Sequence, residues 1–361
     1  MNTSTTHIQA DKATEVPNHV SPVKPLNVAM VGVGGYGAER RRLMRNTGLF
    51  KITRTYDINT NSMAQAEVED GAKPATSYED LLDTPGIEAM IISSGAKFHA
   101  EYMLAAMERG LNVFVEKPLC STPAEIDALV AAQKASGVVV GVGHTDNTRH
   151  PYMQRMRQMI EAGELGSVVT FEKTAAHSGG LTIQPGEWRG DPEANPGGML
   201  FQCGVHAIHD LLYLFGPITK VCCKMRYDVH STQTADSAHC ILTFASGLMG
   251  TLNAYHVTPY RHTFSIFGTA GALHKRDRFF DEGTTLQFQP RKLNDKEPEI
   301  SLEIDATSDD CTGSLRSFYA AVRTGLPCYP SLADGALAVA VVFAAEESAI
   351  TGREMAIVDR V

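Results

Sequence analysis

A group of glycines after a short apolar run has the spacing of a phosphate-binding loop. The segment VAMVGVGGYG leads from an apolar stretch into the pattern Gly32-x-Gly34-x-x-Gly37. In such a loop one glycine makes the tight turn from strand to helix, one lets backbone N–H groups approach a pyrophosphate, and one lets the helix pack on the strand. The helix N-terminus then faces the phosphate charge. The pattern predicts a dinucleotide site with contacts from Gly32, Gly34, Gly35, Tyr36 and Gly37.

An acidic residue, Asp57, closes the next apolar run, which begins at Lys51. A carboxylate at this place can accept hydrogen bonds from both ribose hydroxyls of a dinucleotide, and it would repel a 2′-phosphate. We therefore expect NAD as the cofactor, with NADP less favoured.

A charged pair, Glu116 and Lys117, follows another apolar run and precedes Pro118. Open α/β sheets bind ligands just past the carboxyl ends of their strands, so this lysine lies where a ligand is expected. The proline imposes an extended conformation on Lys117 and can aim its ammonium group across the crevice. A surface salt bridge between Glu116 and Lys117 is the alternative interpretation.

A second group of residues that could do chemistry lies in a segment that begins with two glycines. Gln202, His206 and Asp210 recur every four residues, which places them on one face of a helix. A histidine titrates near neutral pH and can take a proton from a hydroxyl while hydride leaves the adjoining carbon. A core histidine held by hydrogen bonds is the alternative, and the spacing of Cys203, His206 and His209 also permits a metal site, although none is expected.

Composition narrows the class of protein. The chain has 361 residues, a net charge of −9 and seven cysteines without a C-x-x-C pair. This length favours two domains, and the cysteines favour a reducing cytoplasm over a disulfide framework. There is no basic stripe, so nucleic acid is not an expected partner, and Arg40–Arg42 is interpreted as a solvated helix face. We expect no membrane association either, because no apolar stretch approaches the ~18 residues of a membrane span.

The order of apolar runs predicts an α/β fold in two parts. Residues 1–25 are expected to form a disordered or extended tail. Residues 26–147 alternate near-continuous apolar runs with helical patterns, which predicts a Rossmann-type doubly wound parallel sheet. Residues 148–361 carry longer strands with turn signals between them, which predicts an open, mostly antiparallel sheet. The last helix, Leu332–Thr351, is apolar on much of its circumference and is expected to pack against the first domain.

Several motifs in sequence order resemble the Gfo/Idh/MocA family, the relatives of glucose-fructose oxidoreductase and inositol dehydrogenase. These motifs are the glycine loop, Ser93–His99, Glu116–Pro118, Gly163–Gly166 and the Gly204-x-His206 helix. The resemblance runs from about Leu26 to the end of the chain. It implies a Rossmann domain, a C-terminal sheet commonly used for self-association, and NAD(P)-dependent redox chemistry on sugars or cyclitols.

The resemblance also implies roles for particular residues. Lys117 is implied to be a catalytic or substrate-orienting lysine, and His206 corresponds to the catalytic histidine of the family. Ser93, Ser94 and His99 match the loop that borders the nicotinamide ribose. Glu116 and Lys117 flank the nicotinamide ring.

This chain departs from the family pattern at two acid positions. Many members read D-x-G-x-H-x-x-D on the catalytic helix, whereas this chain has Gln202 and His209 at the acid positions. An amide cannot accept a proton at neutral pH, so Gln202 is no base, although it can hydrogen-bond a substrate hydroxyl. The other residues expected to line the substrate pocket are His177, Trp188, Arg189, Asn147 and Arg149.

These observations predict an NAD-dependent dehydrogenase of a sugar, glycoside or cyclitol. We expect His206 to handle the hydroxyl proton and Lys117 to polarise the oxygen, with Lys117 as base being the alternative mechanism. Two other functions stay open: a glycosidase or lyase that oxidises its sugar transiently with tightly held NAD, and a non-enzymatic sugar or nucleotide sensor. We expect a dimer or tetramer, because an exposed open sheet is an aggregation hazard unless it is paired.

Overall fold

A computed structural model describes residues 24–144, 148–184, 186–230, 232–277, 283–291, 298–306 and 310–358. The described strands form two sheets, one of six strands and one of nine. Asn147, which the sequence analysis expects to line the substrate pocket, lies outside the described residues.

The first sheet is parallel throughout, in the order β3-β2-β1-β4-β5-β6. Its central strands are buried on both faces, which explains their continuous apolar runs. The order reverses between β1 and β4, and open α/β sheets bind ligands at such a point. The strands are β1 (Leu26–Val31), β2 (Phe50–Tyr56), β3 (Lys73–Pro74), β4 (Ala89–Ile92), β5 (Asn112–Glu116) and β6 (Val140–Gly143).

Helices connect these strands and cover the sheet. Local sequence signals fix their ends: α5, for example, begins with Thr122 and Glu125 in a capping box and ends at Gly137 in the left-handed conformation. The helices are α1 (Tyr36–Thr47), α2 (Thr60–Asp70), α3 (Tyr78–Leu82), α4 (His99–Glu108), α5 (Pro123–Ser136) and α6 (Pro151–Glu161).

The second sheet is mixed and mostly antiparallel, in the order β14-β13-β12-β11-β7-β10-β9-β8-β15. Its one described parallel pair joins β7 to β10. The two sheets together confirm the predicted fold class. The strands are β7 (Val168–Ala176), β8 (Ile218–Arg226), β9 (Ser237–Phe244), β10 (Met249–Tyr255), β11 (Arg261–Gly268), β12 (Gly271–Asp277), β13 (Thr285–Pro290), β14 (Ile300–Ser301) and β15 (Met355–Ala356).

Three further helices lie in the second half of the chain: α7 (Val205–Phe215), α8 (Gly313–Thr324) and α9 (Leu332–Thr351). The helix α8 returns to the parallel sheet, where Phe318 packs on Phe114. The helix α9 contacts β6 and α5, but its most extensive contacts are with β8. It therefore lies between the sheets and not on the first one alone.

The interpretation of Arg40–Arg42 as a solvated face is wrong for two of its three residues. Arg40 is 2% exposed and Arg41 is 1% exposed, whereas Arg42 lies at the surface. Arg41 pairs with Asp70 of α2, and Arg40 pairs with Glu116 at the end of β5. These partners are distant in sequence, so the run alone did not indicate them.

None of the helices in the described part of the chain is both long enough and apolar enough to span a membrane.

Candidate active site

The glycine loop lies at the point where the strand order reverses. Gly32 follows β1 with a φ of 77°, and a Cβ atom there would lie 2.6 Å from the backbone of Ser93 and Ser94, which follow β4. Only glycine allows the two loops to approach so closely. Ser93 and Ser94 are therefore next to the glycine loop. The Oγ of Ser93 is buried without a hydrogen-bond partner among the described residues.

The N-terminus of α1 is open to a ligand. Gly35 precedes the helix with a φ of 51°, and no side chain caps the first turn. A Cβ atom at Gly37 would collide with the carbonyl oxygen of Gly32, so this glycine permits the turn itself. Tyr36 is half exposed at the first helical position. The loop can thus offer backbone N–H groups and the positive end of a helix dipole to a phosphate.

Asp57 holds the loop from the end of β2. Its Oδ2 atom accepts hydrogen bonds from the backbone N–H groups of Val33 (2.8 Å) and Gly34 (3.2 Å), and its Oδ1 atom accepts one from Asn59 (2.9 Å). These contacts fix the carboxylate beside the glycines. Its remaining lone pairs can accept hydrogen bonds from ribose hydroxyls.

His99 is buried and joins two loops of the site. Its Nδ1 atom lies 2.8 Å from the carbonyl oxygen of Pro118, and its Nε2 atom lies 3.0 Å from that of Ser94. Burial lowers the pKa of His99. Since both ring nitrogens face backbone carbonyls, this residue positions the loops after β4 and β5.

Glu116 forms a buried ion pair with Arg40, in which the arginine Nε atom lies 2.6 Å from Oε1. The alternative of a surface salt bridge between Glu116 and Lys117 is therefore wrong. The Oε2 atom of Glu116 is buried and has no hydrogen-bond partner among the described residues. The pair ties the helix of the glycine loop to the strand that carries Lys117.

Lys117 joins the two sheets at the site. Its Nζ atom donates a hydrogen bond to the backbone carbonyl oxygen of Gln202, at 2.9 Å. Burial lowers the pKa of Lys117, and the nearby charge of Arg189 lowers it further. The ammonium group makes no ion pair with any described residue, so its charge is available to a ligand.

The helix that carries His206 differs from the simple helix that the spacing predicted. A π-helical turn, Leu200–Gly204, comes before α7, so Gln202 and His206 are not in continuous α-helical register. Asp210 is buried and pairs with Lys173 of β7. The predicted face therefore does not present three free side chains. Gln202 is 8% exposed, and its Nε2 atom has no hydrogen-bond partner among the described residues.

Three histidines pack together, and two of them, His144 and His206, lie near the charge of Lys117. The ring of His144 stacks on that of His209 at 4.3 Å between centroids and lies edge-on to that of His206 at 5.8 Å. Burial and the charge of Lys117 hold the pKa of His206 well below its usual range. His206 is therefore neutral at physiological pH and can accept a proton.

His209 is buried beneath His144, and its Nε2 atom lies 3.3 Å from the Tyr329 hydroxyl oxygen. This places His209 behind the cluster, where it positions His144. The sequence analysis missed His144, which follows directly on β6. Its place at the end of an apolar run was the one signal in the sequence.

A second group of histidines faces the same region from the mixed sheet. The Nε2 atom of His177 lies 3.2 Å from Cys203 Sγ, and its Nδ1 atom accepts a hydrogen bond from the Gly179 N–H. The ring of His256 lies edge-on to that of His177 at 4.9 Å. Burial lowers the pKa of both histidines. The sequence analysis singled out His177 but not His256.

Of the remaining predicted pocket residues, Trp188 and Arg189 lie together and Arg149 lies apart. The Arg189 guanidinium lies 4.7 Å from the centroid of the half-buried Trp188 ring. Arg149 is exposed, with its guanidinium 5.7 Å from the Tyr329 ring centroid, on the side of the cluster where His209 lies. Within the described residues, no group of three or more His, Cys, Asp or Glu side chains has the arrangement to hold a metal ion.

Family models match both parts of the chain. A model described as an oxidoreductase family with an NAD-binding Rossmann fold matches residues 26–144. A model described as the GFO/IDH/MocA C-terminal domain matches residues 153–274. The first match ends just after β6, and the second begins in the first turn of α6.

Curated relatives carry the names of oxidoreductases. The dTDP-3,4-didehydro-2,6-dideoxy-alpha-D-glucose 3-reductase of Streptomyces antibioticus is 27% identical over 259 residues, which are 71% of this chain and 75% of that protein. The NAD(+)-dependent scyllo-inositol 2-dehydrogenase of Bacillus subtilis is 29% identical over 201 residues, which are 54% of this chain and 56% of that protein.

Solved structures share the fold over nearly the whole chain. A putative NADPH-dependent oxidoreductase from Desulfitobacterium hafniense superposes with a TM-score of 0.86 at 23% identity, covering 92% of this chain and 98% of that one. Levoglucosan dehydrogenase in complex with NADH superposes with a TM-score of 0.83 at 21% identity, covering 93% and 100%. At such identities the likeness establishes the fold.

Proposed function

This chain belongs to the Gfo/Idh/MocA family of oxidoreductases, and we propose that it transfers hydride between NAD and a hydroxyl-bearing carbon of a sugar, glycoside or cyclitol. One observation carries the proposal. Lys117, at the carboxyl end of β5, is held by the backbone of Gln202 beside a neutral His206. A cation and a proton acceptor are thus placed together at the edge of the sheet where α/β folds bind ligands.

The residues at the point where the strand order reverses fit NAD. The glycine loop leaves no room for a Cβ atom at Gly32, and the uncapped N-terminus of α1 can receive the pyrophosphate. Asp57 would hold the adenosine ribose, and the segment that follows it, Ile58–Thr60, brings no positive charge for a 2′-phosphate. Glu116 Oε2 and Ser93 Oγ, both unpartnered among the described residues, are available to the nicotinamide carboxamide and ribose. NAD, when bound, supplies the hydride acceptor.

Two side chains, Lys117 and His206, would control removal of the proton from the substrate hydroxyl. Lys117 can hydrogen-bond the substrate oxygen, and its positive charge would stabilise the alkoxide that forms as the hydroxyl proton leaves, before loss of hydride turns the carbinol carbon into a carbonyl. His206, neutral because its pKa is depressed, would accept the hydroxyl proton. Lys117 as base is the alternative, since burial also lowers its pKa.

The substrate would lie between Lys117 and the loop that carries Arg189. The Nε2 atom of Gln202 is a buried donor that a substrate oxygen could satisfy. His209 lies behind His144, so we assign it a positioning role. The residues proposed to line the pocket are Gln202, His177, Trp188, Arg189 and Asn147, whereas Arg149 lies apart, on the side of the cluster where His209 lies.

The test is absorbance at 340 nm with NAD and a panel of free sugars, glycosides and cyclitols. We expect NADH formation by the wild type and its loss in Lys117→Ala and His206→Asn. Arg109→Gln removes a surface charge at the far end of α4 and serves as the control. No NADH from any substrate would overturn the proposal. NAD that stays bound through gel filtration, with turnover but no net NADH, would instead favour the redox-assisted lyase, and bound sugar without turnover would favour a sensor.

We also propose self-association through the outer face of the mixed sheet. This face exposes apolar side chains among its polar ones, including Ile241 and Met249. An open sheet of nine strands would gain from pairing with a second copy of the chain. Sedimentation velocity at micromolar concentration is expected to show a dimer or tetramer, and a monomer alone would contradict this.

A further inference from the structure

Two buried cysteines lie directly opposite each other in the mixed sheet. Cys223 of β8 pairs in register with Cys240 of β9, and their Sγ atoms are 3.3 Å apart. Both side chains lie on the core face of the sheet, where Cys223 is 1% exposed and Cys240 is 2% exposed. Neither residue takes part in the proposed hydride transfer, so this pair of thiols calls for a separate explanation.

The backbone of Cys240 is hydrogen-bonded toward β10 and not toward β8. At the turn between β9 and β10, the Phe244 N–H donates a hydrogen bond to the Leu248 carbonyl oxygen at 2.9 Å. In an antiparallel pair such hydrogen-bonded positions recur at every second residue. The register of the two strands therefore makes Cys240 and Leu252 of β10 a hydrogen-bonded pair. The N–H and C=O groups of Cys240 thus point away from β8.

The backbone of Cys223 fits the same pattern from the other side. Its N–H donates a hydrogen bond to Ser348 Oγ of α9, at 2.9 Å, and not to β9. Cys223 and Cys240 are therefore a non-hydrogen-bonded pair, the type in which the Cα atoms are only about 4.5 Å apart. A disulfide joins residues whose Cα atoms are about 4.4 to 6.8 Å apart, so the strands need not separate or slide for the two sulfurs to bond.

The two thiols are not equivalent. The Cys240 thiol donates a hydrogen bond to Cys223 Sγ. This hydrogen bond lowers the pKa of the Cys223 thiol, and it raises the pKa of the Cys240 thiol well above its usual range. Since the thiolate is the form that reacts with oxidants, Cys223 is the sulfur that reacts first. Cys240 then lies next to it as the second, resolving thiol.

We propose that Cys223 and Cys240 form a modification site, at which a peroxide converts the two thiols into a disulfide that links β8 to β9. The Cys223 sulfur attacks one peroxide oxygen and becomes a sulfenic acid, while the O–O bond breaks and the other oxygen leaves as water with the thiol proton. The Cys240 sulfur then attacks the sulfenic sulfur. The S–S bond forms, the S–O bond breaks, and the Cys240 proton leaves with the hydroxide as a second water. Two thiols are thereby oxidised and one peroxide is reduced, and a dithiol reductant reverses the reaction.

The test treats the folded, full-length protein with hydrogen peroxide, blocks the remaining thiols with iodoacetamide in urea, and maps the peptides by mass spectrometry. We expect a linked pair of peptides that joins the segment of Cys222 and Cys223 to that of Cys240 and that dithiothreitol separates. Cys222→Ser is the matched control and should keep the link, because Cys222 lies on the other face of the sheet, opposite Ile241. Cys240→Ala should abolish it. Oxidation of the exposed Cys311 in the same sample shows that the peroxide dose suffices.

A second measurement asks whether the fold accommodates the bond. The oxidised wild type should unfold at a urea concentration about 0.5 M higher than the reduced protein, because the link closes a loop in the unfolded chain. Cys240→Ala, treated in the same way, should show no such rise.

The competing explanation is a pair of core thiols that pack only as small apolar side chains. Three results would favour it and overturn the inference: no linked peptides from the folded protein, a link that forms only in urea, or a link that Cys222→Ser abolishes. A urea midpoint that falls on oxidation would overturn it too. The proposed hydride transfer stands or falls independently of all these results.

Discussion

The two sides of the site differ in how their polar groups are satisfied. On the cofactor side the fold anchors Asp57, which accepts three backbone hydrogen bonds, and His99, whose two ring nitrogens face carbonyl oxygens. It leaves Ser93 Oγ and Glu116 Oε2 without a partner among the described residues. On the substrate side buried donors lack partners among the described residues, including Gln202 Nε2. Both ring nitrogens of His144 are unpartnered as well, at 1% exposure. Both sides therefore leave buried polar groups for a ligand, and the cofactor side differs in that Asp57 and His99 hold its loops in place through backbone contacts.

The largest effect is expected where the two sides meet. Lys117→Met should lower kcat about 10³-fold, because the developing alkoxide then has no positive charge beside it. The affinity for NAD should stay nearly unchanged. Steady-state kinetics with a turned-over substrate measures the loss. Lys134→Met removes a lysine charge from the last turn of α5 and is the matched control. A kcat within threefold of wild type would remove Lys117 from the chemistry.

The next-largest effect concerns how much the buried Arg40–Glu116 pair of the cofactor side contributes to the stability of the fold. Arg40→Met leaves Glu116 buried without its partner and should lower the free energy of unfolding by about 3 kcal/mol. Urea denaturation of the apoprotein measures it. Arg40→Met with Glu116→Gln removes both charges and should recover most of the loss. Equal stability of the single variant and wild type would show that the pair contributes nothing.

A third effect tests the buried histidines of the substrate side. Burial lowers the pKa of His256 to about 3, so the unfolded chain binds a proton below about pH 6.5 that the folded chain does not. Stability must then fall as the pH falls. Between about pH 7 and pH 5 the wild type should lose about 2 kcal/mol more than His256→Gln. Parallel curves of unfolding free energy against pH for the two proteins would contradict this.

The smallest effect concerns cofactor choice. Asp57→Asn keeps an oxygen for the loop N–H groups but removes the negative charge. The dissociation constant for NAD should rise about tenfold, because a charge-assisted hydrogen bond to ribose becomes a neutral one, and the discrimination against NADP should shrink. Fluorescence titration with NADH and NADPH measures both. An unchanged ratio of the two affinities would rule out Asp57 as the residue that selects the cofactor.

The sequence predicted those parts of the fold that short-range patterns encode. The helix Leu332–Thr351 has the predicted bounds, because a capping box marks its start and a left-handed glycine marks its end. The strand β12, Gly271–Asp277, has a charged second half, HKRD, whose local sequence does not indicate a strand. The burial of Arg40 was missed because its partner Glu116 lies 76 residues away.

The same difference between local sequence patterns and contacts of distant residues applies to the site. The glycine loop is a local motif, so spacing alone predicts the turn between β1 and α1. The π-helical turn at Leu200–Gly204 depends on tertiary packing, and it breaks the face that four-residue spacing predicted. His144 carries no motif of its own and became part of the site only through its stacking on His209. Spacing therefore predicts the glycine loop, while the substrate side depends on how distant segments meet.

The central claim is that hydride passes between the substrate carbon and the nicotinamide at the place where Lys117 and His206 meet. The most direct test uses a turned-over substrate with deuterium on its carbinol carbon, followed by mass spectrometry of the NADH that forms. We predict NADH that carries one deuterium and a primary isotope effect on single-turnover hydride transfer. Unlabelled NADH, with the deuterium lost to water or retained in the product, would contradict the account.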